Sequence, residues 1–202
     1  MLSAHREIAR AVARARAIVV GGSAGAVEVL GEIVPSLPAG MRAPVIIVLH
    51  VPPSGPSLLV ELFEPRSAVP VREPLDKQAI GPGIWFAAPG YHLLIERRKT
   101  FALSIDAPVH HSRPSVDVLF ESAAEAYGEH LAAVVLTGAS VDGASGARAV
   151  RDAGGTVVVQ DPRTAAFSSM PHAAIAASRP QLVASPEGIA RLLRAAAQVA
   201  DS

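Results

Sequence analysis

Ala17-Ile18-Val19-Val20 runs directly into Gly21-Gly22-Ser23-Ala24-Gly25, and behind it Val27, Leu30 and Val34 recur at helical spacing until Pro35. The apolar run predicts a strand buried on both faces. The glycine-rich stretch predicts a sharp turn, and the periodic segment a helix stopped by proline. Strand, tight turn and helix in that order are the opening unit of a parallel α/β sheet.

The same alternation continues along the chain. Val45-Ile46-Ile47-Val48-Leu49 is a second buried strand, ended by His50; Pro52, Pro53, Gly55 and Pro56 then predict a loop, and residues 57–64 a short helix. After a less regular stretch, Ile84 to Ala87 reads as a strand. His92–Glu96 and Phe101–Ile105 flank Arg97-Arg98-Lys99-Thr100, which predicts a β-hairpin insertion with a polar turn. Val116, Leu119, Phe120, Ala123 and Tyr127 share one helical face, with Pro114 near the start of that helix. Ala132 to Leu136 is a further buried strand, Thr137 to Asp142 a loop, and Gly143 to Asp152 a helix stopped at Gly154-Gly155. Strands follow at 156–159 and 181–184. The last helix starts at Ser185-Pro186 and turns Ile189, Leu192, Leu193 and Ala196 inward. Residues 1–16, with five basic groups between His5 and Arg16, read as a solvated short helix or tail ahead of one domain over 17–202.

Composition narrows the function. Half of the 202 residues are hydrophobic and 18% are charged, which excludes a disordered chain. Eighteen Lys and Arg balance eighteen Asp and Glu, so no charge excess marks a dedicated nucleic-acid binder. Cysteine is absent, which excludes disulfides, a thiolate zinc site and a cysteine nucleophile. No apolar run approaches the roughly 20 residues that span a bilayer. Arg14 and Arg16 interrupt any signal-peptide core, so a cytoplasmic protein without membrane insertion is expected.

Ligands of an open parallel sheet bind beyond the carboxyl ends of its strands. Ser23, His50, Asp142 and Asp161 all follow predicted strands, and together they are the parts of an acyl-transfer site. Gly21-Gly22-Ser23-Ala24-Gly25 fits G-x-S-x-G between strand and helix, the context of an exposed nucleophile. Two other roles fit Ser23: capping the helix behind it, or lying in a loop that cradles phosphate. The dinucleotide pattern fails, because the glycines stand at 21, 22 and 25 and the second strand ends in a histidine. His50 is the candidate general base, since imidazole both takes and returns a proton near neutrality. Asp142 is the candidate that orients it, although its place before Gly143 equally suits an N-cap; Asp161 is the rival acid. No pair of histidines has the spacing of a metal site.

These stretches resemble the catalytic domain of the chemotaxis protein-glutamate methylesterases, the CheB type, from about Ala17 to Leu193. The resemblance rests on Val20 to Gly25 with Val27-Glu28; His50-Val51-Pro52; Pro82-Gly83, Ala88-Pro89-Gly90 and His92-Leu93; Arg113 to Phe120; Leu136-Thr137-Gly138 with Asp142-Gly143-Ala144; and Gln160-Asp161-Pro162, Thr164-Ala165, Met170-Pro171 and Ala173-Ala174. It implies a doubly wound three-layer α/β/α domain with a mostly parallel sheet. It also implies a serine hydrolase that demethylates glutamate methyl esters on chemoreceptor cytoplasmic domains and, in many members, deamidates glutamines. The family triad falls on Ser23, His50 and Asp142, which selects Asp142 over Asp161. The backbone N–H groups near Ala24 and Ala139 are implied as the oxyanion hole, with no metal or organic cofactor. The chain departs from the pattern at Ala26, Ala139-Ser140, Ser169 and Ser54-Gly55-Pro56. Members often carry an N-terminal receiver domain. Sixteen residues before the first strand cannot hold one, so a stand-alone catalytic domain, regulated if at all by a separate protein, is expected. A silent signalling adaptor and an esterase or amidase for small molecules are the alternative functions.

Overall fold

β1 (Ala17–Gly22) is buried along its whole length and lies at the centre of a seven-stranded sheet. The computed structural model describes residues 2–52 and 57–199. The loop expected at Pro53, Gly55 and Pro56, the departure at Ser54-Gly55-Pro56 and the inward side chain expected at Ala196 lie outside the described residues.

β1 pairs on one side with β2 (Val45–Leu49) and on the other with β7 (Leu131–Val135). Beyond β2 come β4 (Ile84–Phe86) and a two-residue edge strand β3 (Val71–Arg72); beyond β7 come β8 (Thr156–Gln160) and β9 (Leu182–Ala184). Every pairing in this sheet is parallel. The strand order reverses at β1, which puts the ligand-binding crevice of a doubly wound sheet at the carboxyl ends of β1, β2 and β7. β5 (His92–Ile95) and β6 (Phe101–Ser104) form a separate antiparallel hairpin, as the alternation on either side of Arg97 to Thr100 suggests.

Alternation along β1 builds two cores. Ile18 and Val20 face a layer made with α2 (Ala26–Ile33) and α7 (Pro186–Val199), while Ala17 and Val19 face α4 (Val116–Tyr127), α5 (Ala144–Asp152), α6 (Ser169–Ser178) and the hairpin. The result is the three-layer α/β/α arrangement that the resemblance implies. The first segment is a short helix, packed on the core rather than solvated. α1 (Leu2–Ala13) packs against α7, with Val12 buried and Ile8, Ala9 and Ala13 against the same core. Its arginines mask that face in the sequence, because the apolar stripe is only one side of a short helix. α3 (Leu59–Phe63) is the short helix expected at 57–64. Helix α6 and strand β3 have no counterpart in the sequence reading. Pro171 within α6 reads as a breaker, yet it stands in the first turn, where a missing N–H costs nothing. Pro114 lies outside α4, whose N-cap is Ser115.

Candidate active site

Ser23 follows β1, and the register fixes its neighbours. Gly22 lies opposite Leu49, and the His50 N–H donates to the Gly22 carbonyl at 3.2 Å, continuing the β1–β2 ladder one step past its end. On the other side the Ser23 N–H donates to the Thr137 carbonyl at 2.9 Å. Ser23 therefore sits between the ends of β2 and β7. It does not cap α2: the N-cap is Gly25, in the left-handed conformation at φ 80°, with no side-chain cap bond. Glycine is the residue that takes this turn without Cβ strain.

Asp142 does not cap its own following helix either. The N-cap of α5 is Gly143. The Asp142 carboxylate, fully buried, reaches across to the start of α4. Its Oδ1 accepts from the Ser115 hydroxyl at 2.8 Å and the Asp117 N–H at 2.9 Å; its Oδ2 accepts from the Val116 N–H at 2.7 Å. The remaining partner is His50, whose Nε2 lies 2.7 Å from Oδ2. A carboxylate at a helix N-terminus meets free N–H groups and the positive end of the dipole. Burial pushes the Asp142 pKa up, but the His50 bond, the Asp117 and Val116 N–H groups and the Ser115 hydroxyl outweigh it and hold the acid below its ordinary range.

Because Nε2 is engaged by the carboxylate, His50 Nε2 carries the proton that donates to Asp142, and Nδ1 keeps the lone pair. No hydrogen bond joins the Ser23 hydroxyl to His50 among the described residues. Such contacts are often loose without substrate and tighten in the complex.

The capping is reciprocal. Asp117, in the first turn of α4, accepts from the Gly143 and Gly146 N–H groups at 2.9 and 2.7 Å, so an acid at the start of each helix bonds the N–H groups that open the other. Burial raises the Asp117 pKa against those N–H bonds, and the neighbouring Asp142 charge raises it further; His110, 3.4 Å from Asp117 Oδ2, pulls it down. His92, buried in β5, accepts the Ser115 N–H at Nδ1 and donates from Nε2 to the Ala107 carbonyl. Ser115, Asp117 and His92 are the residues sequence reasoning missed. The signal for one was present: serine immediately before a helical apolar stripe is an N-cap signature.

Asp161 is elsewhere engaged. Its carboxylate pairs with Arg163 at 2.6 Å, and that bond with the Arg163 backbone N–H draws its pKa down to about 2. The N–H groups of Ala24 and Ala139 have no intramolecular acceptor among the described residues, which leaves both free for an oxyanion. Ser140, one of the departures from the family pattern, accepts the Asp142 N–H at 3.1 Å and so tightens the aspartate loop. Thr137 ties that loop to its neighbours: its hydroxyl donates toward the Ala24 and Phe167 carbonyls and accepts the Phe167 N–H, and its N–H donates to buried Gln160. Among the described residues no group of three or more His, Asp or Glu is placed to hold a metal ion.

Two substitutions test this packing. Removing the hydroxyl in Ser115→Ala strips a cap from α4 and a donor from buried Asp142; a loss of about 1–3 kcal/mol in urea unfolding is expected. A Cβ at Gly138 would lie 2.0 Å from Met170 Sδ and 2.8 Å from Ser23 Cβ. The methionine can swing aside, whereas the serine Cβ cannot without moving its hydroxyl. Gly138→Ala is expected to lower kcat by on the order of 100-fold in steady-state assays, because a displacement near 1 Å disrupts catalytic alignment.

The family model for CheB methylesterase matches residues 18–193. A Leptospira interrogans protein provisionally named protein-glutamate methylesterase/protein-glutamine glutaminase is 43% identical over 177 residues, covering 87% of this chain and 92% of that protein. The Symbiobacterium thermophilum protein-glutamate methylesterase/protein-glutamine glutaminase is 37% identical over 161 residues, covering 79% of this chain and 44% of that longer protein. The crystal structure of the Thermotoga maritima CheB methylesterase catalytic domain superposes with a TM-score of 0.84 at 32% identity, over 89% of this chain and 97% of that one.

Proposed function

Because the chain belongs to the CheB methylesterase family, we infer that it hydrolyses methyl esters of glutamate side chains in proteins and deamidates glutamine side chains. The substrate we propose is the methylated cytoplasmic domain of a chemoreceptor, with the enzyme in the cytoplasm. The observation that carries the reading is the buried carboxylate of Asp142 on His50 Nε2, at the sheet edge where Ser23 follows β1.

The chemistry follows from that pair. Ser23 Oγ attacks the ester carbonyl while His50 Nδ1 takes its proton. Asp142 holds the ring in the one tautomer that leaves Nδ1 free and stabilises the imidazolium that forms. The oxyanion of the tetrahedral intermediate is received by the Ala24 and Ala139 N–H groups. The intermediate collapses, the methoxide leaving group takes the proton from His50, and methanol departs. Water, deprotonated by the same nitrogen, then cleaves the glutamyl ester on Ser23 and returns the free serine and a glutamate carboxylate. With a glutamine substrate the same steps release ammonia. Every group involved is a side chain or backbone N–H of this chain, or water.

The test is methanol release from methylated receptor cytoplasmic fragments, compared with a simple aliphatic methyl ester. Preferential release from the fragment is expected; turnover of the simple ester alone would replace the protein substrate with a small one.

A further inference from the structure

Beside His50 the surface opens into a cleft of about 210 Å³ whose walls include Val51, His111, Arg113 and Pro114. Its lining holds one permanent cation and no carboxylate. No carboxylate lies within salt-bridge distance of Arg113 among the described residues, and what sets it apart is its place in the cleft that His50 also lines. Its Nη1 is fixed to the carbonyls of Ile105 and Asp106 at 2.7 and 2.9 Å, and its Nε is buried without a hydrogen-bond partner. A half-buried guanidinium with donors unspent is incompletely satisfied.

The wall that presents it is held in place. Val109 and Ser112 exchange backbone hydrogen bonds at 3.1 and 2.9 Å around His110 and His111, both in the left-handed region at φ 49° and 62°. Non-glycine residues hold that conformation only where surrounding structure imposes it. The tip is tied to α4 through His110 and Asp117. Arg113 itself directly precedes Pro114 and the N-cap Ser115, which bonds Asp142. The cation is thus anchored next to the catalytic pair on a tied loop, so little ordering entropy is lost when it binds an anion.

We propose that Arg113 is a specificity residue: it binds the carboxylate of an acidic side chain flanking the reacting glutamate ester, so that the favoured substrate is an ester set among acidic residues. This rests on the methylesterase reading above and names the sequence context that the same site selects. With Nη1 spent on two carbonyls and Nε enclosed, Nη2 is the donor left to an incoming carboxylate, and a charge-assisted bond from it exceeds one to a neutral amide.

The test uses the full chain and two synthetic helical peptides carrying the same glutamate methyl ester. One is flanked by glutamates and the other by glutamines at the same positions. The wild-type enzyme is expected to show a kcat/KM about tenfold or more higher on the glutamate-flanked peptide, chiefly through KM. The preference should shrink as ionic strength rises. In Arg113→Gln the ratio of the two kcat/KM values should fall to about 1, and Arg113→Lys, which keeps the charge but loses the guanidinium's anchorage on the Ile105 and Asp106 carbonyls, should retain part of the preference. Equal wild-type kcat/KM on both peptides overturns the inference alone, as does an undiminished preference in folded Arg113→Gln. The wild-type comparison needs no variant to fold. If neither peptide is hydrolysed, the methylesterase reading falls and this inference with it.

Discussion

In Ser23→Ala, methanol release from a methylated substrate is expected to fall by on the order of 10⁴-fold or more, because removing one member of a catalytic triad removes nearly all that the unit does. The fold should be almost untouched. Ser23 looks in the sequence like a possible helix cap, a role whose loss would cost about 1 kcal/mol. The structure assigns that cap to Gly25, and the Ser23 contact that joins the loops is its backbone N–H on Thr137. Alanine keeps that N–H, so the unfolding free energy should change by no more than about 0.5 kcal/mol. Large kinetic loss with an unchanged unfolding curve is the signature of a nucleophile. Retained turnover in the folded variant would assign the nucleophile elsewhere, and parallel losses of rate and stability would mark a structural serine.

The sequence carried the site's address better than its wiring. Runs such as Val45 to Leu49 and Ala132 to Leu136 are legible because a strand buried on both faces needs nothing but apolar residues, and the residue after each run then falls at the ligand edge. That argument reaches Ser23, His50 and Asp142 without a partner in view. It cannot say what each polar atom bonds. Asp142 stands in sequence where a cap for α5 belongs, yet it caps α4, and Asp117 performs the reverse. Exchange of caps between two helices depends on loops brought together by the β1–β7 pairing and by α4 packing on α5, and no local pattern encodes it. Asp161 shows the same limit from the other side. Its position after β8 is as favourable as that of Asp142, but in the structure its carboxylate pairs with Arg163 while that of Asp142 meets His50. The edge strand β3 was illegible because two residues carry no period. The short helix at the N-terminus is legible, but its packing is not, because basic residues on its outer face obscure Ile8, Ala9 and Val12.

Asp142→Asn should lose on the order of 10³–10⁴ in kcat, for a reason that the four donors around the carboxylate make specific. Ser115 Oγ–H and Asp117 N–H converge on Oδ1, and Val116 N–H and His50 Nε2 on Oδ2. An amide has one acceptor oxygen and one NH₂ group. If the NH₂ takes the Oδ2 side, it faces the Val116 N–H and donates to His50 Nε2. That shifts the imidazole proton to Nδ1, and the base needed by Ser23 is gone. If the NH₂ takes the Oδ1 side, the Ser115 hydroxyl can rotate away, but the Asp117 N–H is left facing a donor in a fully buried site. The first orientation destroys activity outright. The second keeps the tautomer but surrenders the negative charge that stabilises the imidazolium. Both leave a buried N–H unpartnered, so a loss of about 1–3 kcal/mol in unfolding free energy accompanies the rate loss. The pH dependence provides a separate reading of the same carboxylate. The folded pKa of Asp142 lies below its ordinary value, so it contributes stability that is complete above about pH 4 and is lost as pH falls through the depressed folded pKa. Asp117, whose folded pKa is raised, acts in the opposite sense. Urea unfolding of Asp142→Asn at a series of acid pH values should therefore show a shallower decline than the wild type. Asp161→Asn, which breaks only an exposed pair with Arg163, should keep the wild-type rate. A rate loss in that variant matched by none in Asp142→Asn would transfer the orienting role to Asp161, and an acid limb as steep in Asp142→Asn as in the wild type would show that the Asp142 carboxylate is not charged where it lies.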